Sequence, residues 1–391
     1  MRKFCAVTGT RAEYGLLSRL MRMIKDSPDT QLQVIATNMH LSPKFGNTYQ
    51  EIEKDGFTID RKIPIIDENA ENNAVTTVKS MAVALSGFAE AYNELKPDMI
   101  VVLGDRYEIL AAATAALIER IPIAHIHGGE VTEGAFDDAI RHSITKMSHL
   151  HFASTEDYRR RIIQLGEQPD RVFYTGAVGV ENVKRLSLMS KDEIEKEIDF
   201  KIDENTILVT YHPVTLGNRT AKDDIDNFIA ALEEHNGLRV IFTMPNSDTG
   251  NQFIVDAVNS FVDRNSDRTK AFTSLGVVRY LSVMKQVVAV VGNSSSGIVE
   301  VPSFGIPTLN IGDRQKGRIQ ANSIYNCLPD KESVVNGLNK VLSKEFREMA
   351  SKVQNPYEKA NTAEEIFKVI STYPIEQLKQ KHFYDINQWK Y

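Results

Sequence analysis

The chain has 391 residues, of which 42% are hydrophobic and 25% charged, a composition typical of folded globular proteins. Its 46 lysines and arginines stand against 52 aspartates and glutamates, so the net charge is −6. That balance argues against a broad basic face for nucleic acid or anionic membrane. The only two cysteines, Cys5 and Cys327, are too few for a disulfide framework. The sequence contains no signal-like stretch and no apolar run of about 18 residues. We therefore expect a cytoplasmic protein.

Apolar runs of strand length alternate with amphipathic helical stretches along the whole chain. The predicted strands are residues 4–8, 32–37, 99–103, 121–126, 150–153, 172–175, 206–211, 238–243, 287–291 and 307–311. The predicted helices include residues 16–25, 77–95, 107–118, 140–147 and 224–234. Most strand runs are continuously apolar, which is typical of parallel strands buried on both faces. The alternation indicates βαβ units in doubly wound, Rossmann-like α/β domains.

The length accommodates two large domains at roughly 150 residues each, with a remainder. Residues 189–204 are rich in charge and contain no strand run, which makes them the predicted junction between the domains. We predict a first domain over residues 1–185 and a second over residues 186–373. The aromatic residues of the tail 374–391 predict that it docks on the body of the protein. They are Phe383, Tyr384, Trp389 and Tyr391.

The turn after the first strand is a candidate anion site, because ligands of open parallel sheets bind beyond the carboxyl ends of the strands. Residues 9–15 read Gly-Thr-Arg-Ala-Glu-Tyr-Gly and open a helix. Small residues there let backbone N–H groups approach an anion at a helix N-terminus. The segment is neither G-x-G-x-x-G nor a Walker A loop. A tight turn that carries a surface arginine, Arg11, is an equally good interpretation.

Titratable residues cluster after the next two strands. Asp105 and Arg106 can supply a carboxylate for proton transfer and a guanidinium for phosphate. His125 and His127 are two residues apart, so on a strand they are expected to face the same side, and a Gly-Gly turn leads on to Glu130. Four more groups stand at the start of the following helix, Asp137, Asp138, Arg141 and His142. One of these aspartates is expected to cap that helix.

Three strand ends in the second half also carry polar groups. His212-Pro213 follows one strand, residues 245–250 read Pro-Asn-Ser-Asp-Thr-Gly, and residues 292–297 read Gly-Asn-Ser-Ser-Ser-Gly. The last turn offers N–H and hydroxyl donors to a diphosphate at a helix N-terminus. Glu300, about two helical turns further on, can accept both hydroxyls of a ribose. An N-cap followed by a loop is the simpler alternative for the serine run.

Seven motifs in order give the chain a family resemblance. They are Gly-Thr-Arg-Ala-Glu-Tyr-Gly, Gly-Asp-Arg, His-Gly-Gly-Glu with Asp-Asp-x-Ile-Arg-His, His-Pro-Val-Thr, Pro-Asn-x-Asp-x-Gly, Gly-Asn-Ser-Ser-Ser-Gly and Gly-Asp-Arg-Gln-x-Gly-Arg. Running from residue 8 to residue 318, they resemble the hydrolysing UDP-N-acetylglucosamine 2-epimerases of bacterial sialic-acid pathways. The resemblance implies a glycosyltransferase-B-like fold, in which two Rossmann-like domains face each other across a cleft. It also implies that the C-terminal segment, residues 374–391, returns to the first domain.

The resemblance implies a reaction as well, in which UDP-N-acetylglucosamine and water give N-acetylmannosamine and UDP. Elimination to a glycal and rehydration with inversion at C2 require acid/base groups but neither a metal nor a redox cofactor. The implied catalytic residues are Asp105, His127, Glu130, Asp137 and His212. The implied UDP contacts are Arg11, Ala12, Arg106, His212, Asn246, Gly276, Ser294, Ser295, Glu300 and Arg314. Many family members have glutamate where this chain has His127, so the proton role falls to His127, to Glu130 or to both.

Other functions fit part of the pattern. A zinc hydrolase could use His125 and His127 with Glu130 or His142, but it leaves the Ser294 turn without a role. A catalytically silent nucleotide-sugar-binding module would not need carboxylates at positions 105, 130 and 137. A third alternative keeps the chemistry and takes a UDP-2,4-diacetamido-2,4,6-trideoxyhexose of the legionaminic acid pathway. The expected partners are a UDP-sugar and further copies of the chain in a homodimer or larger homo-oligomer, with no nucleic acid or membrane.

Overall fold

The structure is a computed structural model that describes residues 1–71, 73–214, 219–246, 248 and 250–386. The chain forms two compact α/β units. The first comprises Met1–Glu130, Asp137–Glu181 and the chain from Lys359 onward, and the second comprises Val131–Phe136 and Asn182–Glu358. The return to the first unit thus begins at Lys359 rather than at 374, and a short excursion into the second unit separates Glu130 from Asp137.

The first unit is built on a parallel sheet with strand order β3-β2-β1-β4-β5-β6-β7 among the described residues. Its strands are β1 (Arg2–Thr8), β2 (Thr30–Thr37), β3 (Arg61–Ile63), β4 (Met99–Leu103), β5 (Ile123–Ile126), β6 (Leu150–Ala153) and β7 (Val172–Tyr174). Its helices are α1 (Arg11–Asp26), α2 (Tyr49–Lys54), α3 (Ala74–Leu95), α4 (Tyr107–Ile118), α5 (Asp137–Met147), α6 (Glu156–Gln164) and α15 (Thr362–Thr372), and α7 (Val178–Arg185) leads into the second unit. The strand order reverses between β1 and β4.

The second unit has a parallel sheet with the described strand order β10-β9-β8-β11-β12-β13. Its strands are β8 (Thr206–Thr210), β9 (Arg239–Thr243), β10 (Thr269–Phe272), β11 (Ala289–Gly292), β12 (Thr308–Ile311) and β13 (Ile324–Cys327). Its helices are α8 (Lys191–Ile198), α9 (Ala221–Glu234), α10 (Asn251–Arg264), α11 (Gly276–Gln286), α12 (Ser295–Val299), α13 (Lys331–Leu342) and α14 (Lys344–Ala350). Here the order reverses between β8 and β11.

Helices cover both faces of each sheet. In the first unit, Leu17 of α1 and Ile366 of α15 pack on one face, and Phe88 of α3 packs on the other. In the second unit, Phe228 of α9 lies on one face and Ile194 of α8 on the other. Burial on both faces explains why most strands read as continuous apolar runs. The predicted doubly wound α/β architecture is confirmed.

The sequence analysis predicted that the charged residues 189–204 form a junction between the domains. This prediction is wrong, because these residues belong to the second unit. Ser190 and Glu193 form a reciprocal capping box at the start of α8. Ile194 and Ile198 of the same helix are buried in the second core. The charges lie on the outer face of an amphipathic helix, which a count of charged residues does not distinguish from a linker.

The C-terminal segment completes the first unit. Lys359 Nζ donates to the carbonyl of Tyr174 at 2.6 Å, and Thr362 Oγ1 donates to the carbonyl of Thr175 at 2.8 Å. Further on, the Tyr384 N–H donates to the Gly166 carbonyl at 2.9 Å. Two other predicted docking aromatics, Trp389 and Tyr391, lie outside the described residues. No helix in the described part of the chain combines the length and apolarity needed to cross a membrane.

Candidate active site

The first group of predicted site residues lies at the point where the strand order of the first sheet reverses. In open α/β sheets this is the position at which ligands bind. Gly9 follows β1 and Gly104 follows β4, and these two strands are neighbours. A side chain at Gly9 would collide with the carboxylate of Glu108. Glycine at this position therefore lets the two turns pack together.

Two predicted phosphate ligands, Arg11 and Arg106, lie at these turns in ion pairs. Arg11 Nε is 2.5 Å from Glu51 Oε2, and Arg106 Nε is 2.8 Å from Glu108 Oε1. Their side chains are 16% and 15% exposed, so both remain partly accessible. Ala12, in the first turn of α1, is exposed. The pairing of Arg11 with Glu51 fits a surface arginine as well as an anion ligand.

A buried carboxyl group beneath these turns was not among the predicted site residues. Glu13 Oε2 accepts the Gly9 N–H at 2.6 Å, and Glu108 is fully buried beside the same turn. Burial, and next the nearby Glu108 carboxylate, raise the pKa of Glu13 to about 8. Near neutral pH, Glu13 therefore holds a proton, which reduces the negative charge beneath a turn suited to an anion.

Arg141 joins the predicted carboxylates of the first unit. Its guanidinium is 1% exposed and forms an ion pair with Asp105 through Nη2. Nη1 donates to the carbonyl oxygen of Glu130 at 2.9 Å and lies 3.4 Å from Asp138 Oδ1. One buried cation on α5 thus fixes the turn after β4 and the turn after β5 relative to each other.

The sequence analysis predicted that His125 and His127 share a strand face, and the structure contradicts this. The strand β5 ends at Ile126, and His127 has a left-handed backbone with φ of 65°. His125 is buried, with Nε2 at 2.8 Å from the Gly104 carbonyl and Nδ1 at 3.3 Å from Thr145 Oγ1. Burial lowers the pKa of His125 to about 3. It is a neutral core residue with both ring nitrogens in contact with protein oxygens.

These contacts weigh against the zinc alternative, because a metal ligand needs a free ring nitrogen. Among the residues that the structure describes, no three His, Cys, Asp or Glu side chains are grouped to hold a metal ion.

His127 and Glu130 form the part of the cluster suited to proton transfer. His127 Nδ1 lies 3.5 Å from Glu130 Oε1, and Ser154 Oγ donates to the same oxygen at 2.7 Å. The Val178 N–H donates to His127 Nε2 at 3.4 Å. The side chain of His127 is 12% exposed and that of Glu130 only 3%. Of the two groups, His127 is the better placed to reach a substrate.

Asp137 lies at the edge of this cluster. It is the first residue of α5, four residues before Arg141 and hence on the same helix face. Asp137 and Asp138 both lie inside the first helical turn, so neither occupies the N-cap position that the sequence predicted. Carboxylates in a first turn are stabilised by the helix dipole. Asp105, His127 and Glu130 are thus connected by direct contacts or shared partners, with Asp137 one helical turn from Arg141.

In the second unit, His212 is held at the point where the strand order reverses between β8 and β11. Asn293 binds its backbone twice: the His212 N–H donates to Asn293 Oδ1 at 2.7 Å, and Asn293 Nδ2 donates to the His212 carbonyl at 2.8 Å. The Asn246 N–H donates to His212 Nδ1 at 3.4 Å. In the neutral ring this pairing leaves the proton on Nε2, where it can be donated to an anionic oxygen.

The serine turn follows β11. Gly292 has φ of 131°, and any side chain there would collide with the Thr210 carbonyl, so only glycine fits. Ser294 caps α12 by accepting the Ser296 N–H at 3.4 Å, and the Tyr280 hydroxyl lies 2.6 Å from Ser296 Oγ. Arg314 Nη1 donates to the Asn293 carbonyl at 3.4 Å. The turn therefore gathers hydroxyl groups and one guanidinium.

The helix that follows this turn is shorter than predicted. The helix α12 spans Ser295–Val299, and Glu300 is its C-cap rather than a residue two turns inside it. The Glu300 N–H donates to the Ser296 carbonyl at 2.9 Å. Pro302 stands just beyond, in a 3₁₀ turn formed by Val301–Phe304. Its position explains the early end of the helix.

The predicted UDP contacts of the second unit follow successive strands of one sheet. Each lies after the carboxyl end of its strand, in the order β8, β9, β10, β11 and β12: His212, Asn246, Gly276, Ser294 and Arg314. Gly276 opens α11 with φ of 73°. Parallel strands bring their carboxyl ends to the same edge, so the second sheet carries these residues along one side.

Residues 22–371 match the family model of UDP-N-acetylglucosamine 2-epimerase. The chain belongs to this family. It is 44% identical over 351 residues to the GDP/UDP-N,N'-diacetylbacillosamine 2-epimerase (hydrolyzing) of Campylobacter jejuni, covering 89% of each chain. It is 39% identical over 389 residues to polysialic acid biosynthesis protein P7 of Escherichia coli, covering 99% of this chain and 98% of that protein.

The fold is similar to that of the Staphylococcus aureus protein MnaA solved with UDP. The TM-score is 0.79 at 18% identity, over 98% of this chain and 100% of the other. The family resemblance read from the motifs is confirmed, and the protein is an enzyme, a hydrolysing UDP-sugar 2-epimerase.

Three residues that position the site of this enzyme were absent from the predicted set. Arg141 was visible in the sequence only as one of several charges at a helix start, and its burial gives it the linking role. Asn293 was read as part of a donor turn, whereas its side chain fixes His212. Tyr280 lies inside an amphipathic helix and carries no local signal. Contacts between sequence-distant residues give these three side chains their roles.

Proposed function

We propose that the enzyme converts UDP-N-acetylglucosamine and water to N-acetylmannosamine and UDP. The observation that carries the proposal is the contact of Arg141 with the Asp105 carboxylate and the Glu130 backbone carbonyl, with His127 beside the Glu130 side chain. Acid/base groups held together at a strand-order reversal are what inversion at C2 of a UDP-sugar requires. We place this reaction in the cytoplasm, where its product would feed sialic acid and surface polysaccharide biosynthesis.

The chemistry needs proton transfer at C2 together with departure of UDP from C1. The C2–H bond of the sugar is barely acidic, but cleavage of the C1–O bond places positive charge at C1 and acidifies it. A base takes the C2 proton, the electron pair forms the C1–C2 double bond of a glycal, and UDP leaves with the electrons of the C1–O bond. Water then gives a proton to a base as its oxygen bonds to C1, and an acid returns a proton to C2 from the opposite face.

We assign the proton transfers to the first unit. Asp105 is held as a carboxylate partner of Arg141, which orients it at the end of β4. His127, more exposed than Glu130, is the second proton carrier, and Glu130 orients its ring through Nδ1. Asp137, on the helix face of Arg141, supplies a further carboxylate. Each positioned acid or base contributes typically 10²–10⁴-fold.

We assign the diphosphate to donors at the strand ends of the second sheet. In the second unit, the Nε2–H of His212, the Ser294 hydroxyl turn and Arg314 are suited to an anionic leaving group. In the first unit, the partly exposed side chain of Arg106 is suited to an anionic group as well. Stabilising the departing UDP lowers the barrier to elimination without any proton transfer by these groups.

A second candidate substrate is UDP-N,N'-diacetylbacillosamine, a diacetamido-trideoxyhexose. The relative that is 44% identical is named for this sugar, whereas the relative matched over 99% of this chain is named for polysialic acid biosynthesis. Sialic acids are built from N-acetylmannosamine, which supports UDP-N-acetylglucosamine as the first choice. Both sugars carry the 2-acetamido group and the UDP leaving group, so the same side chains would serve either reaction.

The test is incubation of the purified enzyme with each UDP-sugar separately, with the products identified by NMR. We expect free UDP and N-acetylmannosamine from UDP-N-acetylglucosamine. Turnover of the diacetamido sugar alone would move the enzyme to the second candidate. Accumulation of UDP-N-acetylmannosamine would contradict hydrolysis as part of the reaction.

A further inference from the structure

A chain of hydroxyl groups crosses the carboxyl ends of the strands in the second sheet. Thr210 ends β8 and Thr243 ends β9, and the two are paired in the sheet with their Oγ1 atoms 2.5 Å apart. The Tyr280 hydroxyl is hydrogen-bonded to the Thr210 side chain and lies 2.6 Å from Ser296 Oγ. Ser296 Oγ in turn lies 3.1 Å from Ser294 Oγ. Hydroxyl groups thus connect the middle of the sheet to the serine turn.

Tyr280 is the central member of this chain, and its place is fixed by the helix that carries it. The helix α11 begins at Gly276, and Tyr280 lies one helical turn further on, on the same helix face. Leu281 and Met284 of the same helix are buried in a hydrophobic core of the second unit. Because α11 is anchored there, the Tyr280 hydroxyl is held between the strand ends and the serine turn.

The number of acceptor positions at Ser294 Oγ determines where its proton points. A hydroxyl group has one proton to donate and two positions at which it accepts. Ser294 Oγ accepts the Ser296 N–H at 3.4 Å. If the Ser296 hydroxyl also donates to Ser294 Oγ, both acceptor positions are filled, and the Ser294 proton must go to a partner outside the turn. The Ser296 hydroxyl has its proton available for Ser294 when it accepts the proton of Tyr280.

We propose that Tyr280 is a positioning residue of the diphosphate site, whose hydroxyl donates to Ser296 and thereby directs the Ser294 proton at an anionic oxygen of the bound nucleotide. This inference rests on the proposed function, in which the serine turn holds the diphosphate. An anion that accepts from Ser294 favours the same direction in every bond back to Thr243, since hydrogen bonds in a chain polarise one another. Tyr280 therefore strengthens UDP binding without touching UDP through its hydroxyl.

A second tyrosine of the same unit shows what the ring does without this role. Tyr211 is buried and stacks on Phe228 of α9, with ring centroids 5.5 Å apart. Its hydroxyl oxygen has no hydrogen-bond partner within the part of the chain that the structure describes. Phenylalanine would therefore serve equally well at position 211, whereas at position 280 it would interrupt the chain of hydroxyl groups.

The test is Tyr280→Phe, which keeps the ring and removes the hydroxyl. The dissociation constant for UDP, measured by calorimetry on the full chain, should rise about three- to tenfold. The affinity for uridine, measured by NMR titration, should stay unchanged, because uridine has no phosphate to accept the Ser294 proton. Unchanged uridine binding also shows that the variant is folded. Tyr211→Phe is the matched control and should leave both affinities unchanged.

A double-mutant cycle with Ser296→Ala shows whether Tyr280 acts through Ser296. The double variant should bind UDP no more weakly than Ser296→Ala alone, because the Tyr280 proton then has no serine to act on. Additive losses would overturn the proposal, and so would an equal loss of uridine affinity in Tyr280→Phe.

Ser294→Ala separates this proposal from the proposed function on which it rests. Weakened UDP binding in Ser294→Ala, together with normal binding in Tyr280→Phe, would overturn the role of Tyr280 and leave the diphosphate assignment intact. Normal UDP binding in both variants would overturn the diphosphate assignment and the role of Tyr280 together.

Discussion

The two units carry different chemistry at equivalent places in their sheets. Where the strand order of the first sheet reverses, an ionic network surrounds the buried Arg141, with Asp105 and the Glu130 backbone as its partners. At the corresponding point of the second sheet, the neutral side chain of Asn293 holds His212, and hydroxyl groups surround Ser294. In the proposed function, the first arrangement orients groups that exchange protons, and the second presents donors to an anion. One fold thus supports two functions through the residues at its strand ends.

The largest expected effect is on turnover, from Asp105→Asn. Amide replacement keeps the size of the side chain and removes its ability to take a proton, so kcat should fall by at least about 10²-fold. The dissociation constant for UDP, measured by calorimetry, should stay within a few-fold. Asp138→Asn is the matched control, since Asp138 also lies near Arg141 and has no proposed proton role. Equal losses from the two variants would contradict the assignment to Asp105.

The second prediction separates His127 from Glu130. His127→Ala should lower kcat about as much as Asp105→Asn, whereas Glu130→Gln should lower it less, because glutamine can still accept from Ser154 and orient the ring. Steady-state kinetics of the two variants under the same conditions give the order. The reverse order would place the proton transfer on Glu130 and make His127 the orienting group.

The third prediction concerns the second unit and has a different signature. Ser294→Ala combined with Arg314→Ala should weaken UDP binding by roughly 1.5–3 kcal/mol per charged hydrogen bond lost, and turnover should fall as well, because the departing UDP loses stabilisation. Calorimetric titration with UDP measures the loss. Lys316→Ala removes a charge two residues away, from a lysine paired with Glu133, and should leave UDP affinity unchanged. If the double variant of Ser294 and Arg314 binds UDP normally, the diphosphate is held elsewhere.

The smallest effect is on stability and comes from the buried Glu13. Its pKa is raised from 4.5 to about 8, so between these values the folded protein keeps a proton that the unfolded chain has released. The free energy of unfolding should therefore fall as pH rises through this window, by about 1.4 kcal/mol per pH unit from this group. Glu13→Gln keeps an acceptor for the Gly9 N–H and should remove that dependence.

Urea unfolding at pH 5.5, 6.5 and 7.5 tests this prediction. The slope with pH should be shallower in Glu13→Gln than in the wild type. Glu345→Gln, at an exposed position of the second unit, should keep the wild-type slope. Equal slopes in all three proteins would show that Glu13 is ionised in the folded state.

The sequence predicted the doubly wound architecture because its central strands are continuously apolar. The strands β3, β10 and β13 were missed because they lie at sheet edges, and β3 has two exposed residues, Arg61 and Lys62, before the buried Ile63. The sequence analysis placed Glu300 inside α12, because the residue pattern does not show that the helix ends at Val299. Local pattern determines the core strands, whereas edges and helix ends depend on tertiary neighbours.

For the candidate site, the sequence showed which strand ends carry polar groups but not how those groups are held. His125 looked equivalent to His127 by spacing, yet the left-handed backbone at His127 ends the strand alternation and leaves His125 in the core. The role of Arg141 depends on Asp105, which is 36 residues away. Such contacts exist only after folding, so a single sequence cannot rank them.

The central claim is that side chains of the first unit remove the proton from C2 of the sugar and replace it. The most direct measurement is NMR of the product formed from UDP-N-acetylglucosamine in deuterated water. The account predicts free N-acetylmannosamine with one deuterium at C2 in every molecule. In a control without enzyme, the substrate should carry no deuterium at C2. A product that retains the original hydrogen at C2 would contradict proton exchange at this carbon and, with it, the roles assigned to Asp105 and His127.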